Sequence, residues 1–155
     1  MNTITYTNAQ LRSILNGLGY TTVDETVDTI FPLSIDGRSL TNPSFVRAIE
    51  KFQIDHQLAV SGIIDPATLS AIRTVMQTFI SNLNRANPYA KLDNPMYDAA
   101  TIAAVKLVQL RLPNDGVASS YFQYELAKPQ NVGIVSYPVP SPAHTIFLGQ
   151  GDSEW

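Results

Sequence analysis

Two helix-opening signals on either side of one short apolar connection constrain this chain more than anything else in it. In the stretch Asn42–Ile72, NPSFVRAIEKFQIDHQLAVSGIIDPATLSAI, the pairs Asn42-Pro43 and Asp65-Pro66 each set a capping residue before a proline. A proline at the first helical position costs nothing, because that N–H has no partner inside the helix. Phe45, Ala48, Ile49, Phe52 and His56 follow at helical spacing, a stripe wide enough to face a core. Between the two helices, residues 58–64 (LAVSGII) put aliphatic side chains on either side of Gly62, where a turn is expected. Leu69 and Ile72 give the second helix its inner face. The expected local structure is helix, apolar turn, helix.

The run Ala48-Ile49-Glu50-Lys51-Phe52-Gln53, followed by Leu58-Ala59-Val60-Ser61-Gly62-Ile63-Ile64-Asp65-Pro66-Ala67-Thr68-Leu69, resembles the three-helix peptidoglycan-binding domain associated with bacterial cell-wall hydrolases. The first helix of that family, ending in L-G-Y, corresponds to Leu11–Tyr20, and its D-G turn to Asp36-Gly37. The resemblance spans Ala9 to Val75, and most of its matching residues are caps, turns and core positions. It therefore implies a fold more specifically than a function. What it implies about binding is a shallow groove beside the second helix, with Tyr20, Arg38, His56 and Gln57 as candidates around its rim. Aromatic faces with hydrogen-bonding neighbours suit a sugar ring or a stem peptide. Each candidate also has a plain structural role: Tyr20 as a helix-end core residue, Arg38 and Gln57 as solvated surface. His56 at a helix C-terminus sits near the negative end of the dipole. Gln53 and Gln109 are expected to satisfy backbone groups internally.

The rest of the chain extends this plan. Thr7-Asn8-Ala9-Gln10 has the form of a capping box, and Leu11, Ile14, Leu15 and Leu18 make a helix over 8–18 that Gly19 can stop in a left-handed conformation. Residues 21–30 read as a loop, and 31–37 as an apolar strap closed by Asp36-Gly37. From Pro66, the series Leu69, Ile72, Met76, Phe79, Leu83 continues without a breaker, so one helix is expected over 66–83. Residues 98–109 align with 42–53 without a gap, pairing Ala104 with Ala48, Val105 with Ile49, Val108 with Phe52 and Gln109 with Gln53. Asp115-Gly116-Val117 stands for the turn at Gly62, and Ser120–Gln123 reads as a second capping box opening a helix to Ala127. The expectation is all-α: two three-helix repeats, 8–75 and a degenerate 74–128, sharing a long central helix. A Pro-rich tail, 129–155, follows. Its prolines forbid a useful helix, while Tyr137, Ile146, Phe147, Leu148 and Trp155 make it apolar enough to fold back or to dock on another protein.

Composition narrows the chemistry. A net charge of −3, with Arg38, Arg47, Arg73, Arg85 and Arg111 dispersed along the chain, gives no clustered stripe for nucleic acid. There is no cysteine and there are two histidines, His56 and His144, so a thiolate nucleophile is excluded and a catalytic zinc set is not expected. Asp24, Glu25 and Asp28 lie close together, but an acid/base pair needs one desolvated member and no neighbour supplies that. No phosphate-cradling or nucleophile-elbow motif is present. The expectation is a non-enzyme without cofactor or metal. No apolar run reaches the ~18 residues of a membrane span. Residues 1–11, MNTITYTNAQL, do not read as a signal peptide, which favours the cytoplasm if residue 1 is the true start and the cell wall or periplasm if it is not. Two functions compete: an intracellular adaptor or assembly subunit holding a protein partner through the tail, and a stand-alone peptidoglycan binder.

Overall fold

The structure, a computed structural model, describes residues 5–20, 31–35, 37–38, 41–109 and 115–133. Among these there is no strand. The helices are α1 (Asn8–Gly17), α2 (Pro43–Asp55), α3 (Pro66–Ala86), α4 (Ala99–Val108) and α5 (Ser120–Leu126), as the all-α expectation required. No helix among the described residues is long and apolar enough to cross a membrane. The loop 21–30 with its carboxylates, Asp36 of the strap turn, and the tail from 134 onward lie outside the described residues.

Each helix starts where a local signal tells it to, with two exceptions. The box at α1 is complete: Thr7 Oγ1 accepts from the Gln10 amide at 3.1 Å, and Gln10 Oε1 accepts from the Thr7 amide at 2.9 Å. Asp65 Oδ1 takes the Thr68 amide of α3, and Asp98 Oδ1 the Thr101 amide of α4, both at 2.9 Å. At α2 the expectation is only half met. Asn42 occupies the cap position but makes no side-chain cap bond; its Nδ2 donates to Ser44 Oγ at 3.3 Å instead, and Pro43 alone marks the start. At α5 the cap is Ser119, whose Oγ accepts from the Phe122 amide at 3.3 Å, so the expected box at Ser120–Gln123 does not form. Gln123 Nε2 donates to the Ala118 carbonyl at 2.7 Å. The Ala118 amide is itself held by the Gly17 carbonyl at 2.6 Å, which fixes the incoming strand of chain and lets the helix begin one residue early.

One apolar core runs through the molecule, from Tyr6 and α1 to Leu126 in α5. Ile14, Leu15, Phe45, Ile49 and Phe52 fill its first half. α3 contributes Ile72, Met76, Phe79, Ile80, Leu83 and Ala86 along its whole length, so it continues three residues past the expected end at Leu83. Each of the larger buried side chains up to Leu83 contributes about 1.5–3 kcal/mol, and the last turn adds buried Ala86. The strap is pinned to α1 by Ser13, whose Oγ accepts from the Ser34 amide at 2.8 Å, and by Asn16, whose Nδ2 donates to the Pro32 carbonyl at 3.2 Å.

The seam between the halves is built on Tyr97. Its ring stacks parallel to Phe79, 5.8 Å between centroids, and its hydroxyl donates to the Gly116 carbonyl. The ring also covers Gly17 so closely that a Cβ there would stand 2.4 Å from ring carbons. Glycine at 17 is therefore a packing requirement of the seam.

Candidate functional site

The site begins with the carboxamide that closes the α2–α3 turn. Gln53 is fully buried, and every polar atom on it is used: Oε1 accepts from the Ser61 and Gly62 amides at 2.9 and 3.0 Å. Its Nε2 donates to Ser61 Oγ, the Ile63 carbonyl and Thr68 Oγ1 at 2.9, 3.1 and 2.8 Å. Gln109 does the corresponding work in the second half, with Oε1 accepting from the Gly116 amide at 3.0 Å and Nε2 donating to the Val117 carbonyl at 2.9 Å. Both glutamines face inward, as expected. With its exit fixed in this way, α2 presents its C-terminal residues Asp55 and His56 toward α3.

Those residues form one wall of a cleft of about 640 Å³. Leu18, Val75 and Phe79 make its floor; Thr74, Thr78 and Asn82 lie one turn apart along α3; Ser120, Gln123, Tyr124 and Ala127 supply the α5 side. Tyr20 packs edge-on against Phe52, 5.7 Å between centroids, and donates to Asp55 Oδ2 at 2.7 Å. Burial, and then this bond to Asp55, push the Tyr20 phenol well above its ordinary pKa, so it remains a neutral donor. The His56 ring lies over Phe52 at 4.2 Å. Burial lowers its pKa against the upward pull of the Asp55 carboxylate, so the imidazole is neutral at pH 7 and can both donate and accept. The cleft thus offers hydroxyls, carboxamides, one imidazole and aromatic faces, with Asp55 as its one charged side chain.

A smaller hollow of about 220 Å³ lies on the other side of Tyr20, lined by Gly19, Tyr20, Ser44, Arg47, Ala48 and Lys51. Of the residues singled out from sequence, Tyr20 and His56 are brought together in the cleft. Arg38 and Gln57 line neither cavity; both are exposed, and Gln57 closes α2 in a left-handed conformation with φ 59°. The tail candidates Tyr137, Ile146, Phe147, Leu148 and Trp155 lie outside the described residues. The residues that sequence reading passed over are Asp55, the α3 row, the α5 side and the Arg47–Lys51 pair. The α3 row had a signal, since Thr74, Thr78 and Asn82 recur at helical spacing opposite the apolar series. The α5 side had none, because its place depends on how the second half docks. Among the described residues no three His, Asp or Glu side chains gather as a metal site would require.

A three-helix unit closed by an inward glutamine and two proline-led helix starts defines a class of small binding domain. Residues 9–72 match the family model described as "Putative peptidoglycan binding domain", and the chain carries a domain of that family over this stretch. The match takes in Tyr20, Arg47, Lys51, Asp55 and His56 and ends within α3, before the Thr74–Asn82 row and α5. No curated protein and no solved structure matches the chain.

Proposed function

We propose that this protein is a non-catalytic peptidoglycan-binding module, with the glycan seated in the cleft between the family domain and α5. One observation carries the reading: the family domain turns Tyr20, Asp55 and His56 toward a cleft whose remaining walls are neutral and rich in hydrogen-bonding groups. Such a lining, with aromatic faces and about 640 Å³ of room, falls within the size and chemistry of small-ligand sites. The second half is then a degenerate copy of the first that has become a wall of the site. Its Gln109 turn, equal in plan to the Gln53 turn, supports that view.

The family match favours wall binding over an adaptor role held by the tail. Co-sedimentation with purified sacculi tests it. The wild-type chain pellets with the sacculi, and Asn82→Ala combined with Tyr124→Ala, which removes groups from the cleft without touching buried core, shifts most of it to the supernatant. A wild-type protein left wholly in solution refutes the reading.

A further inference from the structure

Tyr20 separates two cavities of opposite character. On one side lies the neutral cleft; on the other, the hollow carries Arg47 and Lys51, one turn apart on α2, with the Ser44 hydroxyl beside them. Arg47 is exposed and has no hydrogen-bond or ion-pair partner among the described residues. Lys51 Nζ reaches Asp55 Oδ1 only at 3.8 Å, a long contact on a side chain that is 69% exposed, and such pairs are weak. With Asp55 only loosely paired to Lys51, the hollow has a positive charge to offer. At about 220 Å³ it is smaller than a whole-ligand site, and it suits a single functional group. A guanidinium fork beside an ammonium and a hydroxyl is matched by a carboxylate, which can accept two parallel N–H bonds from the arginine.

The two cavities are also connected. Tyr20 lines both, and the Lys51–Asp55 pair spans them, Asp55 facing the cleft and Lys51 the hollow. We propose that the Arg47–Lys51 hollow is a carboxylate subsite, so that the ligand is an acidic glycopeptide. Its saccharide lies in the cleft and its peptide arm crosses Tyr20 to place a free carboxylate between the two cations. This deepens the wall-binding reading and rests on it.

Titration calorimetry with three soluble ligands tests the subsite: an uncharged N-acetylated disaccharide, the same disaccharide bearing a short peptide with free carboxylates, and that glycopeptide with its carboxylates amidated. The acidic form binds about tenfold tighter than the amide, the equivalent of one charge-assisted contact in a partly solvated site. Arg47→Gln with Lys51→Gln removes that advantage and leaves the disaccharide and the amide unchanged. Both positions are exposed, and an unaltered unfolding temperature verifies that the variant is folded. Equal affinity for acid and amide, or an unaffected double variant, overturns the subsite while wall binding stands. Binding of none of the three ligands overturns the subsite and the wall-binding reading together.

Discussion

The turn at Gly62 and the turn at Gly116 are closed by the same device and anchored to different things. In each, a buried glutamine at the end of a helix feeds its carbonyl oxygen to the amide of a glycine, at φ 74° in the first and 76° in the second. In each, its Nε2 returns to the carbonyl of the next residue. The first turn is then tied to the helix that follows it. Gln53 reaches Thr68 on α3, and Asp65 caps that helix while its other oxygen accepts from Ser61 Oγ at 3.0 Å. At the position equivalent to Thr68 the second half has Phe122, which has no hydroxyl to offer. Its turn is tied to α5 by Gln123 on the Ala118 carbonyl, and is held from outside as well, by the Tyr97 hydroxyl on Gly116 and the Gly17 carbonyl on the Ala118 amide. The first turn is thus bonded mainly within its own helix pair, and the second draws additional anchors from α1 and from Tyr97.

The comparison breaks first at Tyr97. Tyr97→Ala removes both the seam packing and the outside anchor, and should cost about 3–5 kcal/mol in urea unfolding. Tyr97→Phe, which loses only the hydroxyl, should cost about 1 kcal/mol. If the alanine variant unfolds near the wild-type midpoint, the second turn stands on its own and the contrast fails. Next come the glutamines. Gln53→Leu strands the buried Gly62 amide and Thr68 hydroxyl and should destabilise by about 3 kcal/mol, Gln109→Leu by about half as much, since Asp115 in its turn remains exposed to water. Equal losses would mean that the two devices are anchored alike. The glycines give a smaller effect of the opposite rank. Alanine at either position is strained by about 1–2 kcal/mol, and Gly116→Ala should be the worse, because its Cβ meets Ile102 at 2.8 Å whereas that of Gly62→Ala meets Val46 at 3.0 Å.

The finest distinction is in pH. The bonds from Thr68, side chain and amide, and from Ser61 hold the Asp65 carboxyl below the usual carboxylate range. A folded pKa lower than the unfolded one means that its stabilising effect is complete above the ordinary carboxylate value and is lost as pH falls through the depressed one. Below that point the Thr68 amide loses its charged acceptor, while the Phe122 amide, capped by the untitrating Ser119, does not. In NMR spectra recorded on acidification, the Thr68 amide nitrogen should shift with a low midpoint and that of Phe122 should stay still. A joint shift would show that acid loosens the fold as a whole.

The helices were legible because their signals are local: the Thr7–Gln10 box, Asp65-Pro66, and the apolar series from Leu69 to Leu83 each decide a few residues of backbone. Where a side chain had two uses, sequence could not choose. Asn42 bonds to Ser44 and does not cap; Ser119 takes the place expected of Ser120. Arg12 shows the same limit in the core, since a charged residue reads as surface, yet it is buried with its guanidinium stacked 4.7 Å from the centre of the Phe45 ring. Tyr20 and His56, which flank helix ends that the sequence marks, both line the cleft. Arg38 and Gln57 line neither of the two cavities described, since nearness to a helix end says nothing about which cavity a side chain enters. The α5 wall was beyond reach, because long-range contacts such as the Gly17 carbonyl on the Ala118 amide and Arg85 on the Leu126 carbonyl bring those distant parts of the chain together.

The unbroken course of α3 bears on how such a chain could be shuffled or dissected. The family's border falls at residue 72, partway along a rod that continues to Ala86 with Met76, Phe79 and Leu83 in the interior. Cutting at that border would yield a sticky fragment with Gly17 bare and its hydrophobic flank open to aggregation. The family match thus stops short of the buried face that α3 carries on to Ala86.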